Sequence, residues 1–152
     1  MTQPPDLRTA ASHSPDEDEH GTRNPTLDIF VAERPWGRFQ QLVSNEAVTV
    51  KIITVEPGHR LSLQRHEHRG EMWQVLDVPI DIWVGDQHWT AQPGEVVWVR
   101  HEALHRMGNS GTVPGRLLEV AFGHFDESDI ERLEDDYTRE DGRDQPASPS
   151  TT

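Results

Sequence analysis

The chain of 152 residues contains no cysteine. Disulfides, thiolate zinc sites and cysteine nucleophiles are therefore excluded, and any bound metal would have to rest on nitrogen and oxygen donors. Lysine is nearly absent too: Lys51 stands alone beside thirteen arginines. No apolar run is long enough to span a bilayer, and the polar N-terminus lacks the hydrophobic region of a signal peptide. The expectation is a cytoplasmic protein with no membrane partner. Positive charge is scarce, and a formal charge of −13 argues against nucleic acid, whose nonspecific binding needs a cationic surface.

The acidic excess is uneven. Residues 1–26 hold five acids and two basic residues, and residues 126–152 hold ten acids and three; the intervening 27–125 are closer to balance, at twelve against nine. Both ends are rich in Pro, Ser, Thr and acids, with too little apolar surface to offset the entropy of ordering. The chain thus reads as a tail over 1–26, a folded domain over 27–139 and a second tail over 140–152, both tails disordered.

The middle reads as all-β. "AVTVKIITVEP" alternates, and "EMWQVLDV", "IDIWVGD", "QHWTAQ", "EVVWVR" and "GRLLEVAFG" follow as short β-branched or aromatic runs, divided by "EPGH", "VGDQ", "QPGE" and "GNSGTVPG". Strands so closely spaced suggest a sandwich or barrel. One short helix is expected near the end, where "DESDIERLEDDY" offers an Asp or Ser cap and puts Ile130, Leu133 and Tyr137 on one face. The acids of "LEDDYTR" would form its solvated side.

Against that background "LSLQRHEHRGEMW" (61–73) is unusually polar. In a strand, residues two apart share a face, so Ser62, Gln64, His66 and His68 would line one side while Leu61 and Leu63 turn to the core. Glu71 opens the next strand, and His105 arrives from "HEALHRMGN". Imidazole, carboxylate and amide oxygen together suit a divalent ion such as Zn, Mn, Co, Ni, Fe or Mg. Two nearby histidines alone would more often be surface residues; the added Gln, Glu and distant His favour metal. "LLEVAF" places Glu119 and Ala121 on one face, where an acid is either a base or the partner of a ligand histidine. The tryptophans at alternating positions read mostly as sheet packing, and His59, His88, His101 and His124 as surface turns.

At these residues the sequence resembles a cupin. Gly58, Gln64, His66 and Glu71 take the first cupin motif, with Val78 in place of its last glycine; Gly94, His105 and Asn109 take the second, with Arg100 and Glu102 in place of Pro and Gly. More narrowly, "RPWG" (34–37), "PGHRLSLQRHEHRGEMW" (57–73), "HRMGN" (105–109) and "LEVAFGHFDESDIERLEDDYTR" (118–139) resemble type II mannose-6-phosphate isomerases, the cupin also found at the C-terminus of bifunctional mannose-1-phosphate guanylyltransferases. The chain departs from that family at Glu67, Met72, Arg100, Glu102 and Ala121.

The resemblance implies a double-stranded β-helix, or jelly-roll barrel, with a short C-terminal helix. It implies metal ligands Gln64, His66, Glu71 and His105, and a phosphosugar substrate interconverted between mannose 6-phosphate and fructose 6-phosphate. Glu119 and Arg106 are then the catalytic candidates, Arg106 on the strength of the family's "HR" pair alone, since strict alternation turns it outward. Arg60, Lys51, Arg69 and His68 are the candidates for substrate binding, because a phosphate needs cations. Alternatives are a non-catalytic cupin holding a sugar or small acid, and an oxygenase, against which Gln64 counts. A homodimer paired through barrel edges is compatible with such a fold.

Overall fold

The computed structural model describes residues 23–140 and 143–146. The chain enters through a 3-10 turn, Pro25–Asp28, capped by the Asn24 side chain. A hairpin follows, β1 (Phe30–Arg34) and β2 (Gly37–Gln41). The other strands are β3 (Val48–Val55), β4 (Leu63–Arg65), β5 (Arg69–Val75), β6 (Ile80–Val84), β7 (Gln87–Ala91), β8 (Val96–Val99), β9 (His105–Gly108), β10 (Gly115–Gly123), β11 (Glu131–Glu134), β12 (Tyr137–Glu140) and β13 (Arg143–Pro146). Two antiparallel sheets carry the fold, in the orders β3-β10-β5-β8 and β11-β4-β9-β6-β7.

Alternation decides what lies between the sheets. Val55, Trp73, Val75, Val97, Val99 and Leu117 from the first sheet pack on Ile80, Ile82, Ala91 and Met107 from the second. Each large apolar side chain so buried contributes about 1.5–3 kcal/mol. Polarity then rises along the inner face of the first sheet. The row Ile53, Leu117, Val75 is apolar; the next is Lys51, Glu119, Trp73; the next is Thr49, Ala121, Glu71; and Arg69 sits beyond, opposite Gly123. One end of the barrel is core, the other a polar site.

The opposite face of the first sheet is also apolar. Met72, Val96, Trp98 and Val120 are buried there beneath Ile29, Leu42, Val43, Val48 and Phe122. That second apolar face needs a cover, and the N-terminal segment provides it, which is why the fold begins before residue 27. Asn24 is fully buried and Thr26 nearly so. The signal lay in "EMWQV" and "VVWV", runs without clean alternation, as expected of strands covered on both sides. At the other end, Arg143–Pro146, placed by the sequence in a tail, pairs with β12. The remainder of both expected tails lies outside the described residues.

The expected C-terminal helix is not formed. Glu131–Glu134 is a strand paired with β4, Glu131 opposite Arg65 and Arg132 opposite Gln64, with a bulge before Glu134. β4 has only three residues and would otherwise leave its backbone unpaired on that side, so ladder bonds override the helical spacing of Ile130, Leu133 and Tyr137. Its acids are not a solvated helix face either: Glu131 binds Arg65, Glu134 binds Arg106 and Asp136 binds Arg60.

Candidate metal centre

His66, Glu71 and His105 converge, each buried, with one potential donor atom apiece lying within 4.8 Å of the others. Nε2 of His66 is 3.1 Å from Glu71 Oε1, and Nε2 of His105 is 3.7 Å from Glu71 Oε2. Both ring orientations are fixed from behind by backbone. His66 Nδ1 lies 2.6 Å from the Asp129 carbonyl and His105 Nδ1 2.8 Å from the Ala103 carbonyl. A carbonyl only accepts, so both Nδ1 atoms carry the proton and both Nε2 lone pairs face the carboxylate.

Those lone pairs call for a cation. Nε2 of His105 is buried without a hydrogen-bond partner, an arrangement costing about 1–3 kcal/mol. Burial lowers the affinity of the His105 ring for a proton, so it remains neutral and able to ligate. Burial would push the Glu71 carboxyl up, but the hydrogen bond from His66 and the charge that His105 and His66 carry when protonated, together with the Arg69 guanidinium, outweigh it and hold the group at about 2. Two imidazoles and an ionised carboxylate are a donor set that fits a divalent metal. Gln64 stands directly opposite His105 in the ladder; its Oε1 accepts the Ser62 hydroxyl at 2.8 Å.

One cation already reaches this group. Arg69, 5% exposed, donates from Nε to Glu71 Oε1 at 3.0 Å, while its Nη2 lies 3.2 Å from His66 Nε2. Trp73 Nε1 donates to Glu71 Oε2 at 3.1 Å. Arg69, Glu71 and Trp73 are two residues apart on β5, so this bracket was readable from alternation, though only Glu71 and Arg69 were singled out from the sequence. Arg69 is thus a buried partner of the carboxylate rather than a free phosphate binder.

The other candidates divide. Glu119 is buried on the same face, one row from Glu71. Burial, then repulsion from Glu71, raises its carboxyl to about 8 against the pull of Lys51 and Arg69. Lys51, opposite Glu119, gives its ammonium to Glu127 at 2.7 Å and lies 4.3 Å from the Phe125 ring centroid. Arg69 is 4.5 Å from the same ring. His68 is 62% exposed; β4 ends at Arg65, so the alternation expected to carry His68 inward does not reach it. Arg106 points away from His105, donating to the Leu61 carbonyl and to Glu134. Arg60 binds Asp136 at 2.8 Å on its way to solvent. Those two arginines serve the β11 edge, and neither joins the cluster.

The family model described as "Mannose-6-phosphate isomerase C-terminal" matches residues 23–135. The chain belongs to that family. It is 37% identical over 118 residues to the alginate biosynthesis protein AlgA of Pseudomonas aeruginosa, covering 77% of this chain and 24% of that protein. It is 37% identical over 109 residues to mannose-1-phosphate guanylyltransferase 2 of Escherichia coli O157:H7, covering 71% and 23%. The chain therefore spans about a quarter of the length of these relatives. Among solved structures, the capsular polysaccharide assembling protein CapF from Staphylococcus aureus aligns with a TM-score of 0.53 at 18% identity, covering 70% of this chain and 34% of that one. An oxalate oxidase bound to glycolate aligns at 0.51 and 13%, covering 57% and 46%. These two establish the cupin fold.

Within this mannose-6-phosphate isomerase C-terminal domain, the departures sit at different distances from the cluster. Met72 packs on the far face of the first sheet. Glu67 and Arg100 are exposed. Glu102 replaces a glycine and holds the left-handed φ that glycine favours, +60°; its N–H donates to the His66 carbonyl at 2.8 Å. Ala121 alone faces the site, buried beside Glu71 in the ladder. Phe125 and Asp129 were missed from the sequence, because their segment read as the approach to a helix.

Proposed function

We propose that this domain is a metal-dependent aldose–ketose isomerase for a phosphosugar, interconverting mannose 6-phosphate and fructose 6-phosphate. The observation that carries the reading is the pairing of two unlike carboxyls on one inner sheet face. Glu71 is held ionised at about 2, among the imidazoles, while Glu119, one row away, is raised to about 8. Such separation supports one group in charge stabilisation and the other in proton transfer.

His66, Glu71 and His105, with Gln64 beside them, would hold the metal, which when bound supplies Lewis acidity toward sugar oxygens. Glu119 would take the proton from one carbon and return it to its neighbour, a role that requires its carboxylate form. A divalent charge nearby favours that form. Lys51 is the cation best placed for the phosphate: it borders Glu119, and its side chain is 36% exposed, with the ammonium between the exposed Glu127 carboxylate and the Phe125 ring.

A second reading, a cupin that binds a sugar or small acid without turnover, is favoured by the Arg69 guanidinium, which already bridges two of the donor atoms. Coupled turnover of mannose 6-phosphate, after chelation and readdition of single divalent ions, separates the two. Metal-dependent formation of fructose 6-phosphate supports isomerisation; no turnover with any ion, together with saturable sugar binding, supports the second.

A further inference from the structure

The turn that carries His66 has no ladder of its own. β4 ends at Arg65 and β5 begins at Arg69, so residues 66–68 must find other partners. They find them mainly in one residue, Asp129. Its Oδ1 accepts the Glu67 backbone N–H at 3.0 Å and its Oδ2 the His68 N–H at 2.9 Å. Its carbonyl accepts from His66 Nδ1 at 2.6 Å. Among the described residues, the other backbone anchor on this turn is the Glu102 N–H on the His66 carbonyl.

Asp129 is itself held in place. Its N–H donates to the Asp126 carbonyl at 3.0 Å. Asp126 in turn caps Ser128 through both N–H and hydroxyl, at 2.8 and 2.7 Å, and its carbonyl accepts Arg69 Nη1 at 3.1 Å. Upstream, Gly123 has φ +103°, and a Cβ there would stand 2.6 Å from the His68 carbonyl. The strap from Gly123 to Asp129 therefore lies directly against the 66–69 turn.

We propose that Asp129 is the positioning residue of the centre: its carboxylate splints the 66–68 backbone while its carbonyl fixes the His66 tautomer, so that Nε2 faces Glu71. Outer partners that orient a ligand imidazole typically govern metal affinity by about 10- to 100-fold. The inference rests on the reading of His66 as a ligand, but its first test does not need the metal.

Two variants of the full chain decide it. Asp129→Ala removes both carboxylate bonds. Asp129→Asn keeps the shape and one acceptor, but sets an amide N–H₂ against a backbone donor. In metal-free protein, ¹⁵N shifts of the His66 ring should report a single Nδ1–H tautomer in the wild type and a mixture in Asp129→Ala. Cobalt affinity, measured by competition with a chelating dye, should fall about 10- to 100-fold in Asp129→Ala and by less in Asp129→Asn. The metal-free unfolding curve of Asp129→Asn should remain cooperative, securing the comparison if Asp129→Ala folds poorly. An unchanged His66 tautomer in both variants would overturn the proposal. A wild type that binds no cobalt would sink the metal reading alone, leaving the tautomer measurement to decide Asp129.

Discussion

Replacing Glu71 by glutamine removes one negative charge from a place where every neighbour expects it. Glu71 Oε1 takes the Arg69 Nε–H and Oε2 the Trp73 indole N–H, and Arg69 is buried with it. Breaking a buried charge pair from one side costs about 3–5 kcal/mol. The carboxyl is held at about 2 instead of 4.5, which gives the same sign, and at about 1.4 kcal/mol per tenfold change in proton affinity it bounds the effect at roughly 3 kcal/mol at neutral pH. The sign follows from the lowered value. The stabilisation is complete above the unfolded carboxyl's range near 4.5 and is lost as pH falls toward 2. Urea unfolding of chelator-treated protein at pH 7 should therefore show Glu71→Gln less stable by about 3 kcal/mol, with the gap narrowing to roughly 1 kcal/mol at pH 3. Equal stability at pH 7, or a gap of constant size between the two pH values, would refute the assigned electrostatics.

Glu119 has the opposite linkage. A carboxyl raised to about 8 keeps its proton in the folded state alone between about 4.5 and 8, so its effect on stability worsens as pH rises through that window; metal-free Glu119→Gln should melt with the wild type at pH 4 and several degrees above it at pH 9. If Lys51 receives the phosphate, Lys51→Ala should raise KM for mannose 6-phosphate roughly tenfold with little change in kcat, consistent with loss of a charge-assisted bond. Glu127→Gln, which frees the Lys51 ammonium, should lower KM in the same assay. Glu102→Gly relieves a left-handed side-chain residue at φ +60° and should stabilise the domain by about 0.5–1 kcal/mol in urea.

Local periodicity revealed the parts of the site that strands position by themselves. Glu71 on β5, His105 on β9 and Glu119 on β10 lie two residues from the core side chains Trp73, Met107 and Leu117, so they share the inward face. His66 reaches the cluster by a route other than the one alternation gave it. The strand meant to carry it stops at Arg65, and the imidazole is aimed instead by a residue 63 positions away. The same non-locality misled the reading of the cations. Arg60 is a candidate for its nearness to Gln64 and Arg106 for the family's "HR" pair; the strand that replaces the expected helix brings Asp136 and Glu134 within ion-pair distance of them. The early start of the fold was hidden similarly, since Asn24 and Pro25 belong to a polar, proline-rich composition and acquire meaning only beneath the second apolar face of the sheet.

The central claim is that His66, Glu71 and His105 form one metal centre, and elemental analysis tests it most directly. Chelator-stripped protein reloaded with a single divalent ion and freed of excess by gel filtration should retain about one ion per chain, and His105→Ala should retain almost none. Retention of the same amount by His105→Ala, or of none by a folded wild type with any of zinc, manganese, cobalt, nickel or iron, would contradict the account.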